Sequence, residues 1–171
     1  MTVPVLIWLA AIVAANLTVA AFGPGWSIVN AFLLIGLDLS LRDRLHDAWR
    51  DDRIALRMGA LIGAGGLISW ALNADAGRIA LASVVAFTAA MAVDAATYHA
   101  MRRRRFVVRA NVSNVPAAIV DSLIFPAVAF GAFLPTIVAG QAAAKIAGGA
   151  LWAAVIVEIR NLRGAPAGAR P

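Results

Sequence analysis

The sequence predicts an all-α integral membrane protein, a compact bundle of six transmembrane helices with both termini in the cytoplasm. Three observations carry this. The 171 residues are 62% hydrophobic and only 14% charged, with a mean hydropathy of +0.83, well above the apolar share of about one half found in soluble domains. The apolar residues fall into runs near the roughly 20 residues a helix needs to cross a bilayer. Most basic residues cluster after alternate runs.

Six runs follow in order, at about 3–22, 26–41, 54–72, 78–101, 110–133 and 135–159. The first could be a secretory signal, but Met1 to Val13 carries no positive charge, so a retained helix is expected. The second is short and passes into "RDRLHDAWRDDR", whose alternating signs predict a helical extension or a solvated loop. The remaining connectors are brief, so residues 1–163 form one transmembrane domain. The end, "RGAPAGARP", has the small, Pro- and Gly-rich composition of a disordered tail over 164–171. Gly59 and Gly63 in span 3, with Gly65 and Gly66, and Gly148 and Gly149 in span 6, are expected to permit close helix approach.

Arginine orients the bundle, because basic residues flanking spans are retained on the cytoplasmic side. Arg42, Arg44, Arg50, Arg53 and Arg57 follow span 2; Arg102 to Arg105 and Arg109 follow span 4; Arg160, Arg163 and Arg170 follow span 6. Of the fifteen basic residues, only Arg78, on the opposite side, and Lys145, inside span 6, fall elsewhere. The same topology accounts for the net charge of +6 without a nucleic-acid partner. The localisation expected is the cytoplasmic membrane of a bacterium, or of a bacteriophage-infected cell.

Catalytic and cofactor chemistry find no foothold. Cysteine is absent, which removes disulfides, thiol nucleophiles and thiolate metal sites, and His46 and His99 stand without a second ligand nearby. No nucleophile elbow, zinc-binding His-Glu-x-x-His or P-loop occurs. No cofactor and no enzymatic activity are expected.

Polar residues inside the spans are therefore the informative ones. Counted at 1.5 Å per residue, Asp121 lies about 16 Å into span 5 and Lys145 about 15 Å into span 6, both near the midplane. Lys145 is the sole lysine in the chain. An ionised group at a helix centre costs about 2.5–3.5 kcal/mol on insertion scales, so it faces a bundle interior or a wet cavity. Helical spacing places Asn114, Asp121 and Phe125 on one face of span 5. Gln141, Lys145, Gly148 and Trp152 share a face of span 6, and Met91, Asp94 and Tyr98 share a face of span 4. Asn16 and Asn30 add uncharged polar groups, and Asp38 and Asp94 lie nearer the cytoplasmic ends. A purely structural reading makes Asp121 and Lys145 an ion pair, Asp38 and Asp94 neutralisers of nearby arginines, and the asparagines interhelical glue. The coincidence of Asp121, Lys145 and Gln141 favours a polar ligand cavity.

Four segments carry a resemblance: "LDLSLRDRL" at 37–45, "VDAATYHAMRR" at 93–103, "SNVPAAIVDSLIFPAVAF" at 113–130 and "GQAAAKIAGGALW" at 140–152. Together, with Asn16 in span 1, they resemble the VUT family of queuosine precursor transporters. The resemblance implies uptake of a 7-deazaguanine, 7-cyano-7-deazaguanine or its aminomethyl relative, for tRNA modification. A 7-deazaguanine presents N1–H and 2-amino donors side by side, which a carboxylate accepts, and a C6 carbonyl to which an ammonium or amide donates. Asp121 and Lys145 supply those groups, with Asn114, Gln141, Asp94 and Asn16 as further polar contacts and Phe125, Trp152 or Tyr98 as stacking surfaces. Asp38 and Tyr98 are candidates for coupling or gating. Besides the 7-deazaguanine and the lipid bilayer, a homo-oligomer is a conceivable assembly. The alternative class is a substrate-capture subunit of an energy-coupling-factor importer, which borrows a separate ATPase module. The small residues Ala10, Ala14, Ala11 and Ala15 of span 1 offer a stripe on which such a partner helix could dock.

Overall fold

A computed structural model describes residues 2–38, 41, 45, 53–101 and 106–162, and every described element is helical. In chain order these are α1 (Thr2–Phe22); α2, which starts as Trp26–Asn30 and continues through a π-helical turn at Ala31–Ile35; α3 (Ile54–Leu72); a 3₁₀ turn (Ala74–Ala76); α4 (Gly77–Ala100); α5 (Phe106–Phe130); and α6 (Pro135–Leu162). The expected extension at 42–53 and the tail at 164–171 lie almost wholly outside the described residues, as do Arg102 to Arg105 and the side chain of Tyr98.

Three helices are long and apolar enough to cross a membrane: Val3–Phe22, Ala74–Thr97 and Val112–Phe130. Trp26–Asp38 and Leu56–Leu72 are shorter apolar helices. The 28-residue α6 carries Gln141 and Lys145 within its apolar stretch and buries both. Outward positions are apolar as well: Leu6, Phe22, Leu56, Leu67, Trp70, Leu72, Leu81 and Phe133 are exposed. A surface of this kind is stable against hydrocarbon rather than water.

Local chemistry explains where the helices stop. Gly23 and Gly131 adopt φ of +84° and +69°, the left-handed conformation that ends a helix and that glycine enters without steric cost. Their amides close the last turns of α1 and α5 on Val19 and Ala127 at 2.9 and 3.0 Å. Arg78, the arginine that departs from the charge pattern, donates from Nε to the Val128 carbonyl at 3.0 Å. It thereby satisfies one of the acceptors left over at the end of α5 and sits favourably at the negative end of that helix. Pro116 and Pro126 both lie inside α5, which continues through them to Phe130.

Close backbone approach occurs at α2 and α6. A Cβ on Gly148 would lie 2.2 Å from the Phe32 carbonyl oxygen, and one on Gly36 would lie 2.6 Å from the Gly148 carbonyl carbon. Only glycine fits there. Trp152, one turn beyond Gly148, donates from Nε1 to the Leu33 carbonyl at 2.9 Å, tying α6 to the π turn of α2. In α3 the expectation needs correction. Gly59 and Gly63 face open space, where an added Cβ would meet nothing within 4 Å, whereas one on Gly65 would meet Ile12 at 3.1 Å and one on Gly66 would meet Val84 at 2.9 Å. The helix turns its second glycine pair inward because the adjacent Ile62 and Ser69 are the buried positions of that face. The alanine stripe on α1 also divides: Ala11 and Ala15 are buried inside the bundle, leaving Ala10 exposed.

Two apolar clusters close the bundle. At the end where α1 starts, Trp8, Ile12, Leu41, Leu45, Met58 and Ile62 pack together, with Phe87 and Met91 against them. At the end where α1 finishes, Val19, Ile79, Ala82 and Ala129 form a second cluster with Phe125 and Val128. The polar residues lie between the two.

Candidate functional site

Lys145 organises the site. It projects from α6 into the bundle, 3% exposed, and its ammonium forms an ion pair with Asp121 Oδ2 of α5, itself 6% exposed. Nζ also donates to Ser122 Oγ at 3.0 Å and to Gln141 Oε1 at 3.2 Å. The three donors of an ammonium are thus all used. Gln141 lies one turn before Lys145, and with its oxygen committed it turns its amide nitrogen to Ser27 Oγ of α2 at 2.8 Å. Burial of this charge is tolerable because every donor finds an oxygen.

A second set of hydrogen bonds ties α1 to its neighbours. Asn16 Nδ2 donates to Ser69 Oγ of α3 at 3.0 Å, and Asn16 Oδ1 accepts from Ser83 Oγ of α4. Asn30 of α2 donates from Nδ2 to the Ala15 carbonyl at 3.0 Å and to Thr18 Oγ1 at 2.7 Å. Each helix from α1 to α4 therefore meets another through a buried side-chain hydrogen bond, and these directional bonds fix register where apolar packing alone would not.

Between the two sets lies a small cavity of about 30 Å³, lined by Asn16, Ser27, Asn30, Ser83, Asp121, Gln141 and Lys145 among polar residues and by Ile35, Phe87 and Phe125 among the larger apolar ones. That is room for roughly one or two waters, so a ring-sized ligand enters only as the surrounding helices part, while the apolar walls with a few convergent polar groups match the usual chemistry of small-molecule sites. Among the described residues, the hydrogen bonds leave Asp121 Oδ1 and Asn30 Oδ1 as unused acceptors, and Asn16 and Gln141 each retain one amide N–H. These groups are complementary to several N–H donors and an acceptor.

Six of the residues singled out from the sequence come together here: Asp121, Lys145, Gln141, Asn16, Asn30 and Phe125. Others do not line this cavity. Trp152 holds the π turn of α2 through Leu33, so its position on the Lys145 face reflects packing. Asn114 lies two turns from Asp121 and is half-buried, Asp38 is buried at the end of the apolar helix Trp26–Asp38, and Asp94 is half-buried further along α4. Sequence reasoning passed over Ser27, Ser83, Ser122 and Phe87. Serines are common in membrane helices, and no spacing marks these four as neighbours of Lys145 or Asn16. No group of three or more potential metal-ligating His, Cys, Asp or Glu side chains occurs among the described residues.

Neither the curated proteins nor the solved structures contain a match to the chain. Residues 70–159, about half of its length and including Asp94, Asp121, Gln141 and Lys145, match the model of a family described as "Putative vitamin uptake transporter", and the chain belongs to that family.

Proposed function

We propose that the protein is a six-span transporter of the bacterial cytoplasmic membrane, with both termini inside, that imports a 7-deazaguanine for tRNA modification. The observation that carries this reading is a polar cavity whose buried Asp121 keeps one carboxylate oxygen unused while Lys145 neutralises its charge. The N1–H and 2-amino group of the ligand bind Asp121 and the neighbouring Asn30 acceptor, and the C6 carbonyl takes an amide N–H of Gln141 or Asn16. Phe87 and Phe125 flank the flat ring. Lys145 acts chiefly on Asp121, aiming its carboxylate through the ion pair. Ser122 and Gln141 in turn hold Lys145.

The test is precursor-dependent recovery of queuosine in tRNA, in cells lacking both its synthesis and its uptake. Cells expressing the protein and supplied with 7-cyano-7-deazaguanine should regain the modification, and those given no precursor should not. Failure to recover it at normal membrane expression would overturn the assignment. Uptake by the purified protein alone in vesicles separates a solitary transporter from a capture subunit that needs an ATPase.

Topology is checked independently. Reporter fusions after Gly25, Ala76 and Leu134 are expected to report outside, and those after Arg50, Arg105 and Arg163 inside. An odd number of crossings, or reversed signals, contradicts the six-span arrangement.

A further inference from the structure

Outside the central network, buried side-chain atoms that lack a hydrogen-bond partner include one donor on α1 and one acceptor on α4. Among the described residues, Trp8 Nε1 on α1 and Asp94 Oδ1 on α4 are buried and accept or donate no hydrogen bond. Trp8 is 1% exposed. One of these atoms is a donor and the other an acceptor, and an unmet group of either kind is costly inside a bundle.

Helix register brings the two together. The Asn16–Ser83 hydrogen bond sets α1 beside α4, and the pairing runs antiparallel, since Phe87 and Met91 pack against the cluster that holds Trp8 and Ile12 while Val19 shares a cluster with Ile79 and Ala82. Trp8, Ile12 and Asn16 follow one another at four-residue intervals along one face of α1. Ser83, Phe87, Met91 and Asp94 do the same, at intervals of four and three, along the facing side of α4. From the Asn16–Ser83 level, Trp8 lies about 12 Å and Asp94 about 16 Å toward the end where α1 starts. Side chains lean toward the N-terminus of their own helix, so in an antiparallel pair Trp8 leans onward and Asp94 leans back. Both enter the same interval.

We propose that Trp8 and Asp94 form a second ligand station between the central cavity and the cytoplasmic side, one that takes the lactam-type edge of a flat heterocycle: an acceptor for the indole N–H and an adjacent donor for the carboxylate. This rests on the transport reading above. The seam of Ile12, Phe87 and Met91 that joins the station to the cavity is apolar, which suits passage of a ring that carries its own hydrogen-bonding edge. Polar partners at both ends of that seam keep the ligand from settling too deeply at either, because leaving the cavity is offset by capture at the station.

The experiment has a ligand-independent arm and a transport arm. In the first, the indole N–H resonance of Trp8, assigned with Trp8→Phe in isotope-labelled protein, is compared between the parent and Asp94→Asn without ligand. A shift of the Trp8 signal is expected; an unmoved signal means the groups do not face one another and overturns the station whatever the substrate. In the second, uptake of 7-cyano-7-deazaguanine into vesicles and its equilibrium affinity in detergent are measured for Trp8→Phe and Asp94→Asn. Each variant should lower the uptake rate about tenfold, as loss of one hydrogen bond to the ligand requires, with affinity within about twofold of the parent and no loss of thermal stability. The double variant should be no slower than the slower single one. Unchanged uptake overturns the station, and parallel loss of affinity and uptake overturns it by assigning both residues to support of the central cavity. A Trp8 shift together with a parent protein that does not bind the probe refutes the 7-deazaguanine reading, and with it the station's ligand, while the register argument stands.

Discussion

Lys145→Met is expected to destabilise the protein by about 3–5 kcal/mol, the cost of stranding one partner of a buried ion pair. The substitution leaves the Asp121 carboxylate without its cation and removes the donor from Ser122 Oγ and Gln141 Oε1. Asp121→Asn should cost less, because the lysine keeps its two other acceptors and the new amide oxygen can replace the carboxylate. The double variant should be milder than the sum of the two, since neither charge remains alone. Thermal melts of the three variants in the same membranes measure this; additive losses would show that the pair is not coupled. Uptake should fall about tenfold to a hundredfold in all three, because each removes or misaims the charged acceptor that Asp121 offers to one ligand N–H. Recovery of uptake in the double variant would remove both residues from the binding site.

Gly148→Val is expected to cost at least about 3 kcal/mol, toward the upper end of the range for overpacking. A Cβ there meets the Phe32 carbonyl oxygen at 2.2 Å and the Phe32 Cα at 3.0 Å. These are backbone atoms with no rotamer into which they can retreat, so α6 must separate from α2. Lys145 and Gln141 ride on α6 within two turns of that contact. Their hydrogen bonds to Ser122 and Ser27 should loosen with it, and ligand affinity should fall along with the melting temperature. Gly63→Ala supplies the contrast, since its Cβ meets nothing within 4 Å and it should raise stability by about 0.5–1 kcal/mol through helix propensity. Equal effects at the two glycines would show that the α2–α6 contact is not a constraint on the fold.

Much of the site was legible because burial of charge in hydrocarbon is so costly. Asp121 and Lys145 stood out in apolar runs, and equal depth with opposite charge made them partners before any geometry was known. Helical spacing likewise put Gln141 beside Lys145. The same spacing misled at Trp152, which shares that face but serves a carbonyl of α2. Periodicity says which residues share a face, and it cannot say which of them the neighbouring helix has already used. The glycines show the same division. Gly59 and Gly63 have the familiar four-residue spacing yet face outward, and Gly65 and Gly66, without it, carry the contacts to Ile12 and Val84.

What the sequence determined by itself was therefore the solvent, the helical class and the pair of charges that must be hidden together, because each follows from the cost of placing a residue in hydrocarbon. What only the tertiary structure decided was the company those charges keep: Ser122 and Ser27 around Lys145 and Gln141, Ser69 and Ser83 around Asn16, and Phe87 across the cavity. The physical reason is that a serine or phenylalanine costs little on any face of a membrane helix. Its role is set by which helix packs against it and at what register, and those follow from backbone contacts such as Gly36 on Gly148, made between residues more than a hundred positions apart.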